Sequence, residues 1–558
     1  MKKYRYSLKE MAVRLLKIAA PIKSYLIIST LASIFGNLAH IGLMGFGALT
    51  LLSAAGITDT STVFAGIMTV LSAVLIPVCR YLEGVYSHIG AYGLLASLRV
   101  RLFDTIDRIA PAFMVERHQG DLLNIAVADI ETLEFFFAHT IGPMFTVIIL
   151  PLTTLIIAGF CNPSYIGVLL PVFILISVII PLAAMRTGRS IGMRYREGLG
   201  ELNTRILESV YGIRDLQIFG RGKERLGKVL EQNTRVNKAA HGLVLHQQAL
   251  SSLPSFFVYL GRILIIYTAA RLAEQGTGDP AAAILVSFVT TASFSSTFSL
   301  TFVVSHLLET FAAAERIFLI EDTAPAVAET DTPVSCGHVE TIHFNKVSFA
   351  YPHTDAVILK DADFIIHKGD RIGILGESGA GKSTLLRLLL RFYDPVSGVI
   401  EWNGIDEKQL KLSEVHKRIA MLEQETYLFD ASIAENIALA DPDASPEAIR
   451  EAARRAGIDS FIDTLPEGYD TQMGQMGSRL SGGERQRIGI ARVMLADPDV
   501  VVMDEPTSSL DILHEKELLH TLRTEYADKT VILISHRPST LTDCTRILKL
   551  EGCTLREQ

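Results

Sequence analysis

Six apolar stretches, near 24–52, 62–88, 134–160, 164–186, 247–272 and 281–307, are each long enough to cross a bilayer core of about 30 Å. Inside lipid, every backbone N–H and C=O must find its partner within its own segment, so such stretches are restricted to helices. Residues 1–320 are therefore expected to form an all-α, six-helix transmembrane domain. The segment 321–339, containing EDTAPAVAETDTPVSCGH, is polar and proline-bearing and reads as a linker. From 340 to 558, short β-rich runs (RIGILG, VVVMD, TVILIS) alternate with amphipathic helices, the pattern of an α/β domain.

Charge sets the sidedness. The short connections 53–61, 161–163 and 273–280 contain no Lys or Arg, whereas 98–118 and 186–238 are rich in both. The positive-inside rule puts the long connections and both termini in the cytoplasm. Those connections keep helical periodicity, so the spans are expected to continue as helices into the cytoplasm, with tips near Arg117–Asp121 and Gly212–Gly222. The N-terminus, MKKYRYSLKEMAVRLLK, is basic and amphipathic and has no cleavage-site pattern. It is expected to lie at the membrane surface rather than to be removed as a signal peptide.

Composition removes several functions. A net charge of −8 gives no basic footprint for nucleic acid. The five cysteines (Cys79, Cys161, Cys336, Cys544, Cys553) lack paired spacing, which argues against a disulfide framework or a zinc site.

The chemistry is concentrated in the second half. In RIGILGESGAGKSTLLRLLL a strand runs into Gly376, Ser378, Gly379 and Gly381, followed by Lys382, Ser383, Thr384 and a helix. Glycines let backbone N–H groups curl around a phosphate, and the helix N-terminus adds its dipole. Lys382 is expected to reach the β- and γ-phosphates of ATP, and Ser383 to ligate Mg²⁺. The run VVVMDEP is a buried-type strand ending in Asp504, expected to hold Mg²⁺, and Glu505, expected to orient or deprotonate the attacking water.

Between these elements lies LSGGERQR (480–487), which resembles the signature of ATP-binding-cassette proteins, with Glu484 where Gln is commoner. The resemblance implies further roles over about 340–550. Tyr351 would stack on adenine; Gln424 would sense Mg²⁺ and the attacking water; Ser508–Asp511 would cross to a partner; His536 would contact the γ-phosphate. It also implies that Ser481, Gly482 and Gly483 complete the ATP site of a second chain, so that the protein works as a dimer. Two departures stand out: Gln475, where related exporters usually carry a coupling glutamate, and the short tail LEGCTLREQ.

Polar residues in the spans bear on the cargo. In CRYLEGVYSHIG, Arg80 lies roughly 27 Å along its span at about 1.5 Å per residue, near the inner interface. Snorkelling with Glu83 as partner accounts for it. His88 follows Gly84 by one turn; it is either a packing and hydrogen-bonding residue or a ligand to a flat cargo such as haem. Arg262 lies in the outer half of its span, either in an interhelical pair or facing a cargo carboxylate. His40, Asn37 and SFVTTASFSSTFSLTF line a path or pack helices.

The run RYLEGVYSH…LRVRLFDTI…GDLLNIAVADIETLE resembles the CydC half of CydC–CydD pairs, whose pattern is RYFERLVSH, with Gly84 here in place of Arg. That resemblance implies axial haem ligation by His88, haem as a cofactor-like cargo, and a heterodimeric partner, with a homodimer as alternative. The expectation is an ATP-driven half-transporter of a bacterial cell membrane. Three cargo classes compete: haem or porphyrin, small thiols such as cysteine or glutathione, and broad amphipathic compounds. A cassette that regulates rather than transports fits less well, because the hydrolytic residues are all present.

Overall fold

The computed structural model describes residues 6–558 except 117–118, 331, 353, 355, 378, 475–476, 478, 507–519, 521–522 and 527. Contacts divide the chain into two units, one of 1–107 with 117–323 and one of 324–558 with Arg108–Glu116.

The first unit is helical: α1 (Leu8–Ile18), α2 (Lys23–Ala54), α3 (Thr62–Ile109), α4 (Ala112–Glu116, counted with the second unit), α5 (Gln119–Asn124), α6 (Ile130–His139), α7 (Ile141–Cys161), α8 (Ser164–Ile174), α9 (Ile180–Tyr211), α10 (Ile213–Ile218), α11 (Gly222–Glu274) and α12 (Pro280–Glu321). At about 1.5 Å per residue, α3 and α11 run about 72 and 80 Å, more than twice a bilayer core. Among the described residues, five stretches are long and apolar enough to span: Ala20–Ala54, Thr62–Ile109, Asp121–Cys161, Ser164–Ala183 and Gly222–Glu274. The sixth expected span falls on α12, whose apolar part among these residues is Pro280–Phe294.

The tip expected at Gly212–Gly222 is α10 with its flanking turns, and Arg117 of the other lies outside the described residues. The α9–α11 extension is tied by Arg225, which pairs with Glu208 at 2.6 Å and donates to Ser209 Oγ at 2.8 Å. Ion pairs also gather the inner end of α12. Glu321, whose side chain is largely covered, accepts from Arg14 at 2.9 Å and Arg101 at 2.8 Å. Arg316 of α12 pairs with Asp129, at the end of a π-turn over Ile125–Asp129.

The second unit carries two sheets. Strands β1 (Thr341–Ala350), β2 (Val357–His367), β4 (Ser397–Trp402) and β5 (Ile405–Asp406) form an antiparallel sheet in the order β2-β1-β4-β5. The larger sheet, in the order β10-β9-β3-β8-β7-β6, comprises β3 (Arg371–Gly376), β6 (Ile419–Leu422), β7 (Val500–Asp504), β8 (Thr530–Ser535), β9 (Arg546–Glu551) and β10 (Thr554–Glu557). Its strands β9 to β6 are parallel, and β10 is an antiparallel edge. Parallel strands are covered on both faces, which explains their unbroken apolar runs: every residue of β8 is buried. Helix α13 (Lys382–Leu389) follows β3, and a later helix, α14 (Gly482–Ala496), precedes β7.

One buried carboxyl in this unit lacks compensation. Glu407, fully buried, has no hydrogen-bond partner on either oxygen among the described residues. Burial holds its carboxyl well above the usual range, with Asp394 reinforcing and Arg391 opposing. Since the folded form binds its proton more tightly than an unfolded carboxyl of pKa about 4.3, stability falls as pH rises above that value. Glu407→Gln is therefore expected to raise the thermal midpoint at pH 8 more than at pH 5, by about 2–4 °C for each kcal/mol recovered. Differential scanning fluorimetry at the two pH values checks this, and an equal change at both would refute it.

Candidate functional site

Ligands of open α/β sheets sit at the carboxyl ends of the strands, and the parallel sheet brings four sequence-distant elements to that edge. Gly376 ends β3, Asp504 ends β7, Ser535 ends β8 with His536 next, and Gln424 follows β6. Strand pairing makes them neighbours: Leu375 is opposite Ser535, Asp504 opposite Ile534, and Leu422 opposite Met503.

The phosphate loop requires its glycines. Gly379 has φ +82° and Gly381 φ +108°. A Cβ on Gly381 would stand 2.8 Å from Ile358 Cγ2. The loop delivers Lys382 to the first turn of α13, where Nζ donates to the carbonyls of Gly376 (2.7 Å) and Glu377 (2.9 Å). Ser383 Oγ donates to Asp504 Oδ2 at 3.4 Å. Burial pushes the Asp504 carboxyl above its ordinary range, a cost that a bound cation would offset. The hydroxyl in the first turn of α13 and the carboxylate at the end of β7 form a hard-oxygen set that suits Mg²⁺. Gln424 is exposed, without a hydrogen-bond partner among the described residues.

Glu505 is held in an unusual way. Its φ of +47° places a non-glycine residue in the left-handed region, a strain found mainly at functional sites. Its N–H donates to Ile534 O at 3.0 Å, and its Oε1 is 3.0 Å from His536 Nδ1. The sequence identified Glu505 and His536 separately; only β7–β8 pairing makes them a dyad.

Ser481 caps α14. Its Oγ accepts from Glu484 N at 3.3 Å, while Glu484 Oε2 accepts from Ser481 N at 2.7 Å. This capping box explains Glu484: Ser-x-x-Glu satisfies two N-terminal donors reciprocally. Among the described residues, no hydrogen bond joins Ser481, Gly482 or Gly483 to the phosphate loop. Gln486, buried on α14, donates to Pro506 O just beyond β7; it lies within LSGGERQR, but the signature assigned it no role of its own. Ser378, Gln475 and Ser508–Asp511 lie outside the described residues.

In the helical unit, Arg80 does pair with Glu83, at 2.8 Å, and also donates to buried Asn37 Oδ1 at 3.0 Å. His88 Nδ1 lies 3.0 Å from Glu134 Oε1 of α6. Its ring stacks on Tyr92 (5.7 Å between centroids) and meets His139 edge-on (5.1 Å). Tyr81 is exposed, and a Cβ on Gly84 would meet no side chain of another helix within 4 Å among the described residues. Glu134, His139 and Tyr92 escaped sequence reasoning because they join His88 across helices or without a motif. Arg262 is half-buried on α11, with no ion pair among the described residues.

The ABC transporter family pattern matches residues 359–508, and the ABC transporter transmembrane region matches 25–300. A probable ABC transporter ATP-binding/permease protein of Haemophilus influenzae is 35% identical over 96% of this chain and 97% of its own length. The glutathione/L-cysteine transport system ATP-binding/permease protein CydC of Escherichia coli is 30% identical over 86% of this chain and 83% of its own. The structure of a bacterial Atm1-family ABC exporter with ATP bound superposes with a TM-score of 0.81 at 24% identity, covering 96% of this chain and 95% of that one. With both halves matched in one polypeptide, this chain belongs to the ABC transporter family, as an exporter-type half-transporter that couples ATP hydrolysis to transport.

Proposed function

We propose that this chain is one half of a dimeric exporter of a bacterial inner membrane, and that its cargo is haem or a similar metalloporphyrin ligated by His88. The observation that carries the cargo reading is the state of the imidazole. Glu134 holds Nδ1, and Nε2 has no hydrogen-bond partner among the described residues. A carboxylate on one ring nitrogen fixes the tautomer, so the other presents its lone pair, the arrangement metal-ligating histidines use. Tyr92 supplies a flat flank, and Gly84 leaves space one turn away on the side toward which a helical side chain leans.

The ATP site drives the cycle. Lys382 and the loop N–H groups hold the phosphates, and Tyr351 stacks on adenine. Ser383, Asp504 and Gln424 would hold Mg²⁺, which would supply charge neutralisation for the phosphates. Glu505 accepts a proton from the attacking water, His536 fixes that carboxylate, and the signature segment of a second cassette closes the site. A heterodimeric partner is favoured, by similarity to CydC.

A second reading, a small thiol, is favoured by the name of the Escherichia coli relative and by the Arg80–Glu83 pair, whose charges suit a zwitterionic amino-acid group. A haemin titration of the detergent-purified transporter with its partner chain separates the two. The haem reading expects a saturable Soret band and ATPase stimulation, both lost in His88→Ala. A band that survives His88→Ala removes the ligand assignment. ATPase stimulation by cysteine or glutathione, with no specific band, replaces haem by thiol.

A further inference from the structure

The hydroxyl of Tyr351 is engaged in a way that stacking on a base does not require. The ring packs edge-to-face on Phe349 and Tyr393, with centroids 5.0 and 5.3 Å away. Its Oη accepts from Arg387 Nη1 at 2.6 Å and shares a hydrogen bond with Thr384 Oγ1 at 2.9 Å. The Arg387 guanidinium also lies 5.8 Å from the ring centroid. Thr384 and Arg387 are three residues apart on α13, hence on one face, and this helix carries Lys382 in its first turn.

A hydrogen bond from a cation is shorter and stronger than a neutral one, and a guanidinium beside an aromatic ring adds attraction. The phenol is thus held to the helix that begins at the phosphate loop, by contacts from two of its side chains. A rigid element that carries both the phosphate-binding lysine and the clamp on the base platform fixes the separation of the two ends of the nucleotide. Such preorganisation lowers the ordering cost of binding.

We infer that Arg387 is a positioning residue for nucleotide recognition: through the Tyr351 hydroxyl it aligns the adenine platform with the phosphate loop, and so sets ATP affinity and base selectivity rather than the chemical step. The inference rests on the reading of Tyr351 as the adenine platform. Arg387 acts on that ring and has no assigned contact with nucleotide.

Steady-state ATPase and GTPase kinetics on the full transporter with its partner chain test it. Arg387→Ala and Tyr351→Phe are each expected to raise KM for ATP by about 3- to 10-fold, the worth of one lost hydrogen bond. In both, kcat at saturating ATP should move much less, and the preference for ATP over GTP should narrow. The double variant should be no worse than the poorer single, because both remove one interaction, and Arg387→Lys should recover most of the loss. A purely structural Arg387 would lower the thermal midpoint or kcat and leave KM and base preference alone, which overturns the inference. So does additivity of the two losses. Tyr351→Ala distinguishes the underlying reading: unchanged KM there removes the adenine platform itself, whereas raised KM there, with Arg387→Ala and Tyr351→Phe silent, removes only the clamp.

Discussion

Glu505→Gln is expected to lower steady-state ATPase by about two to three orders of magnitude while ATP binding persists. Glu505 directly follows an apolar parallel strand that ends at Asp504, and as the proposed base for the attacking water it belongs to a class whose removal costs about 10²–10⁴-fold. The amide has the same shape and cannot take up the proton. It can still receive a hydrogen bond from His536, which lies 3.0 Å from the carboxylate. The backbone conformation should survive, because Glu505 N–H remains bonded to Ile534 O. Phosphate release and equilibrium ATP binding, measured on the same preparation, check this. A residual rate within tenfold of the parent would move the base elsewhere, and loss of binding would make Glu505 structural.

Gly381→Ala is expected to weaken ATP binding by at least about tenfold. Two penalties coincide at this position. The backbone sits at φ +108°, outside the range that a side chain tolerates. The new methyl would also stand 2.8 Å from Ile358 Cγ2 and 3.3 Å from Ile358 O, which belong to β2. Backbone strain alone costs about 1–3 kcal/mol, and about 1.4 kcal/mol is a decade in affinity. The clash adds to it, because relief requires the loop to lift from the strand beneath it. Gly379→Ala is the matched control: φ is +82°, and among the described residues other than its chain neighbours no atom lies within 4 Å of its added Cβ. It should lose less. Titration of both variants with a fluorescent ATP analogue checks the order, and equal losses would show that backbone strain alone sets the effect.

Much of this was legible in the chain. GESGAGKST, VVVMDEP and LSGGERQR are local patterns in which spacing, strand and helix supply the chemistry directly. The spans were legible because a bilayer imposes length and apolarity on contiguous residues, and the charges between them on sidedness. What escaped was contact between distant segments. The clamp of Arg387 on Tyr351, the dyad of Glu505 with His536, and the bond from Gln486 to Pro506 O each depend on strand order or helix placement.

His88 shows the boundary most clearly. Its span could be read from hydropathy, but its partners Glu134 and His139 sit on another helix. Hydrophobic periodicity says that a helix is in the membrane, without saying which neighbour it touches, since lipid and apolar side chains are alike to it. Sequence alone thus determined the cassette and the membrane half, because motif chemistry and bilayer solvation act on adjacent residues. Tertiary structure alone decided which of those residues meet and in what backbone state, because pairing of strands and packing of helices join groups that no local pattern connects.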